Sequence, residues 1–127
     1  MELRKIALYV SRVRVGLGLT MMASPKLAFG PIYGRGVSEP GAAAIGRMMG
    51  AREAVLGAGA AIAVGEGPEG PNWVSMIAVA DGLDAVVNLA SPRLGWRGKV
   101  MGLAALASAA AHLVLAKQLA SDRSLTP

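Results

Sequence analysis

Read for hydropathy alone, the chain divides into four apolar stretches, residues 3–23, 41–64, 72–90 and 100–119, separated by clusters of proline, glycine and charge. Each is close to the ~20 residues that a helix needs to cross a hydrocarbon core of about 30 Å. The first runs to Ser24-Pro25, where proline biases the preceding residue away from helix. The connector 26–40 carries three glycines and two prolines beside Leu27, Phe29, Ile32 and Tyr33. That apolar edge suits a segment lying in the membrane interface, with Tyr33 in an aromatic belt. Gly65 to Pro71 reads as a turn and Ser91-Pro92 as the end of the third helix. Trp73 and Trp96 are expected as interface anchors, and the polar tail from Ser121 as frayed.

The pattern therefore predicts a single all-α domain over 1–127, a four-helix up-down-up-down transmembrane bundle with short connections. Composition supports the membrane assignment. Hydrophobic residues make up 54% and charged residues 17%, against about 25% charged in ordinary soluble domains. The competing arrangement is a soluble bundle rich in alanine and glycine. Net charge is +5, but the Lys and Arg are scattered with few aromatics among them, which argues against a nucleic-acid partner and for contact with lipid headgroups. Cysteine is absent, so disulfides, thiolate metal sites and cysteine nucleophiles are excluded. A single histidine, His112, makes no zinc site. No phosphate-loop or dinucleotide glycine pattern occurs, and no cofactor or metal is expected.

Ionisable residues inside the spans carry the candidate chemistry, because they are costly in lipid and normally face partners. The third stretch holds Asp81, Asp84 and Asn88, whose spacing puts them on one helix face. The second holds Arg47, Arg52 and Glu53; Arg52 and Glu53 are about 100° apart around the helix and so are expected to need different partners. In the first, Arg12 shares a stripe with Lys5 and is expected to face the bundle, with Arg14 snorkelling or lining another surface. Gly46 and Gly50 form a G-x-x-x-G that admits close helix approach, and such small-residue faces also suit a homo-oligomer.

Two readings of these charges stand. In one, Arg–carboxylate pairs lock helix register. In the other they frame a site, with Arg12, Arg47, Arg52 and Asn88 binding a ligand and Asp81, Asp84, Glu53 and His112 exchanging protons. The functional classes that follow are a non-enzymatic membrane protein binding a hydrophobic or amphipathic small molecule or a partner protein, and a cofactor-independent acid–base enzyme (isomerase, cyclase or epoxide-opening hydrolase) on a lipid-like substrate. Transport would require an oligomer.

Four places in the chain carry a resemblance to a known family. They are Arg12, Arg14, Gly16, Gly18 and Pro25 in the first stretch, the block IGRMMGAREAVLGAG from Ile45 to Gly59, the block DGLDAVVNL from Asp81 to Leu89, and the final Ala/Leu helix. Together they resemble a family of small uncharacterised bacterial membrane proteins, related in pattern to DoxX-like proteins. The resemblance implies a four-helix fold in the bacterial cytoplasmic membrane; it implies no reaction and no cofactor.

Overall fold

The computed structural model describes residues 2–124, with side chains from residue 2 to residue 122. Among the described residues the chain is helical, with no strand: α1 (Glu2–Ala23), α2 (Pro25–Tyr33), α3 (Pro40–Glu66), α4 (Gly70–Ala90) and α5 (Trp96–Ser124), with a 3-10 turn at Arg35–Ser38 before α3. Four of these, α1, α3, α4 and α5, are long and apolar enough to cross a membrane. This is the make-up of a small integral membrane protein.

The helices run longer than the four apolar stretches, and the connector holds a further helix. α5 begins at Trp96 and continues past residue 119 to Ser124, so the predicted start of the frayed tail is helical; residues 125–127 lie outside the described residues. The expected turn at 65–71 shrinks to 67–69, because Pro71 sits in the first turn of α4, where its missing N–H would be unpaired in any case. The connector folds into α2. Its start is signalled by Ser24, whose Oγ accepts from Leu27 N at 3.3 Å, followed by Pro25 in the first helical turn. Gly34, at φ +80°, ends it, a conformation that glycine adopts without steric cost.

Inward-facing positions repeat at alternating steps of three and four residues. On α1 they are Ala7, Ser11, Arg14 and Gly18; on α3 Gly46, Gly50, Glu53, Gly57, Ala60 and Val64. On α5 they are Gly98, Gly102, Ala105, Ala109, His112, Ala116 and Leu119. This is the seam of left-handed helix packing, occupied here by small and charged residues. Many large side chains point outward: Ile45, Val55, Val79, Val86 and Val114 are all more than half exposed, while Glu53 and Asp81 are 5% and 4% exposed. Such inversion suits a lipid surround, where apolar bulk outside costs nothing and charge must be sequestered.

The most extensive pairings are α1 with α3 and α4 with α5. On α3 the glycines serve three different neighbours. An added Cβ at Gly50 would come within 2.6 Å of Gly18 O, and one at Gly57 within 2.7 Å of Ser11 O, so α1 and α3 touch backbone to backbone. Gly46 instead faces Pro25 and the Phe29 ring of α2, and Gly59 lies under the Trp73 ring of α4. The expected close approach at Gly46 and Gly50 is therefore made within one chain. Trp73, expected as an interface anchor, packs inward, whereas Trp96 stays 71% exposed with the Arg97 guanidinium 5.5 Å from its ring centre. At one end of the molecule Ala7, Val64, Val74, Ala116 and Leu119 form a small apolar core.

Candidate functional site

Between that core and α2, the four long helices turn ionisable side chains toward one another. Arg14 on α1 places Nε 3.0 Å from Glu53 Oε2 and donates through Nη1 to Asp81 Oδ1 at 3.1 Å, with Nη2 on the same oxygen. Arg52 on α3 donates to Glu53 Oε1 at 3.0 Å and forks onto Asp84, Nη1 to Oδ1 at 3.1 Å and Nη2 to Oδ2. The result is a continuous alternating chain, Asp81–Arg14–Glu53–Arg52–Asp84, crossing α1, α3 and α4. Arginine suits both links, since its planar fork serves two carboxylates at once and stays charged.

The two ends of this chain differ. At Asp81 the second oxygen accepts from Ser108 Oγ at 2.6 Å, and His112 Nδ1 lies 3.7 Å from it. His112 Nδ1 also meets Ser108 O at 2.8 Å; a carbonyl can only accept, so Nδ1 carries the hydrogen. The opposite nitrogen, Nε2, is buried without a partner among the described residues. At the other end Asp84 is the most exposed of the three carboxylates, its side chain 26% accessible against 5% for Asp81 and 7% for Glu53. Its only side-chain donors among the described residues are those of Arg52. Asn88, one turn on, turns its amide to Asp84 O at 2.8 Å and accepts at 2.7 Å from the Tyr33 hydroxyl of α2.

A cavity of about 240 Å³ lies against this chain, walled on its apolar side by Leu17, Met21, Met49 and Ala105. A second cavity of about 460 Å³ extends toward Ile45, Val87 and Leu94. The two share Phe29, Tyr33, Met49, Arg52, Asp84 and Asn88 as lining. Oxygen atoms of Glu53, Asp81 and Asp84 lie within 4.8 Å of one another, close enough to hold a metal ion. The guanidiniums already occupy the facing oxygens, so a metal would have to displace Arg14 or Arg52.

Of the residues expected from sequence, Asp81, Asp84, Glu53, His112, Arg52 and Asn88 converge here. Arg12 and Arg47 do not; both sit on exposed helix faces and take no part in the chain of ion pairs. Arg14, expected to snorkel, is the buried arginine of α1. The reason is that the inward face of α1 is set by Ala7, Ser11 and Gly18, and Arg14 belongs to that series while Arg12 does not. Arg52 and Glu53 share a bond although adjacent, because the long Arg52 side chain spans the angle between them. Ser108 and Tyr33 were missed as site residues. Ser108 lies one turn before His112, a signal available from spacing; nothing in the sequence ties Tyr33 to Asn88. Comparison of the chain with family models, curated proteins and solved structures finds no match.

Proposed function

We propose that this chain is an up-down-up-down transmembrane bundle of the bacterial cytoplasmic membrane, of the small DoxX-like family that it resembles, and that it binds a hydrophobic or amphipathic small molecule. The observation carrying this reading is the paired cavity. One wall is a charged network and the other is Leu, Met and Ala, an arrangement suited to a ligand with one polar end. The acid–base alternative has less support, because Glu53, Asp81 and Asp84 are each engaged by a guanidinium. Membrane lipids surround the apolar outer faces. Any homo-oligomer through small residues falls to faces such as those of Gly16 and Gly82, where an added Cβ would meet nothing within 4 Å.

The test is saturable binding of a dansyl-tagged dodecyl chain to the protein in lipid nanodiscs, read as fluorescence above that of empty nanodiscs. Wild type is expected to saturate. Ala105→Phe, which fills the cavity from α5, is expected to abolish the saturable part. Identical signals from wild type, Ala105→Phe and empty nanodiscs would sink the reading.

A further inference from the structure

The alternating ionic chain begins and ends on a carboxylate. Three carboxylates against two guanidiniums leave one formal negative charge, His112 aside, and an uncompensated charge in a low-dielectric site is costly. The Asp81 end is closed by Ser108 and flanked by His112. The Asp84 end is open: it is the more accessible carboxylate, it has no donor beyond Arg52 among the described residues, and it lines both cavities. Two aromatic rings, Phe29 and Tyr33, line the same two cavities with centroids 6.2 Å apart. Aromatic faces beside a carboxylate are the surroundings that hold a cationic nitrogen, by ring quadrupole and by charge together.

Resting on the binding function proposed above, we infer that the ligand carries a positively charged headgroup, a protonated amine or quaternary ammonium, seated between Asp84 and the Phe29–Tyr33 pair. Its apolar chain runs along Met49 toward Leu17 and Met21, in the cavity that Ala105 also lines. Bound so, the cation adds the missing positive member at the end of the series, and the site becomes neutral overall. An anionic headgroup in the same place would add a second unpaired negative charge. A neutral headgroup would leave the first uncompensated.

The experiment uses the full chain in zwitterionic nanodiscs and competes the dansyl-tagged probe with dodecylamine, dodecyltrimethylammonium, dodecanol and dodecanoate, each corrected for partition into empty nanodiscs. Both cationic amphiphiles are expected to compete about tenfold better than dodecanol, and dodecanoate worse than either. Asp84→Asn should bring the ratio of ammonium to alcohol close to one. If that variant does not fold, Phe29→Leu with Tyr33→Leu should lower the same ratio. An amine that competes no better than an alcohol in wild type overturns the inference while the binding function stands, and so does a ratio that survives these changes. If the probe itself shows no saturable binding, it is the binding function that fails.

Discussion

Arg14 and Glu53 join α1 to α3 through a contact of 3.0 Å between two side chains that are each about nine-tenths buried. Each group also holds a second ion pair, Arg14 with Asp81 and Glu53 with Arg52. Removing Glu53 leaves Arg14 Nε and one Arg52 N–H without their acceptor, and losing a partner from a buried ionic network typically costs about 3–5 kcal/mol. Glu53→Ala is therefore expected to lower thermal stability in detergent sharply. Glu53→Gln, which retains an acceptor for Arg14, should lose less. Equal melting temperatures for wild type and Glu53→Ala would contradict the buried pairing.

The backbone contact between α1 and α3 gives a second expectation. An added Cβ at Gly18 would lie 2.6 Å from Gly50 O, whereas one at Gly16 would meet nothing within 4 Å. Gly18→Ala should destabilise by about 1–3 kcal/mol through overpacking. Gly16→Ala should be neutral or stabilising by up to about 1 kcal/mol, since alanine favours helix over glycine. Denaturation in a mixed-detergent titration compares the two directly.

Tyr33 supplies a pH dependence. Burial, aided by the nearby Asp84 charge, pushes its phenol above the ordinary tyrosine value. A group whose acid form is favoured by folding contributes stability that is complete below its unfolded pKa of about 10 and is lost as pH rises through the folded value. In a Tyr9→Phe background, phenolate absorbance should therefore appear at higher pH in the folded protein than after denaturation. The Tyr33–Asn88 contact between α2 and α4 should loosen over that same alkaline window.

Lys99 closes the end of α4 from the next helix. Its ammonium donates to Leu89 O at 2.8 Å and Ser91 O at 2.6 Å, satisfying carbonyls that the helix end leaves open. Lys99→Met keeps most of the stem and removes the donor. It is expected to cost about 1–2 kcal/mol and to speed amide exchange at Asn88–Ser91 while leaving α1 and α3 protected.

How much of this could be read from the chain depends on which residues carry the signal. The four spans were legible because each is a long apolar run bounded by proline or glycine, and Asp81, Asp84 and Asn88 were legible as one face by spacing alone. The rotation of α1 was not. In a soluble helix the large apolar residues mark the inside, but here Leu17, Leu19 and Val13 are exposed and the inside is marked by Ala7, Ser11 and Gly18. Side-chain size marks the inner face, and by that measure Arg14 belongs inside and Arg12 outside. α2 is hard to read because proline and glycine ordinarily break a helix, whereas Ser24 followed by Pro25 starts one. The Tyr33–Asn88 bond joins residues 55 positions apart, and no local pattern encodes such a meeting.

Two kinds of contact join the four long helices. Within the pair α1 and α3, and within α4 and α5, glycine and alanine allow close van der Waals packing. Between α1 or α3 on one side and α4 on the other run Arg14–Asp81 and Arg52–Asp84. Dispersion contacts are indifferent to the polarity of their surroundings, whereas ion pairs weaken wherever water gains entry. A wetter environment thus weakens Arg14–Asp81 and Arg52–Asp84 more than the glycine contacts inside each pair, and whatever occupies the position beside Asp84 sits at the edge of that charged joint.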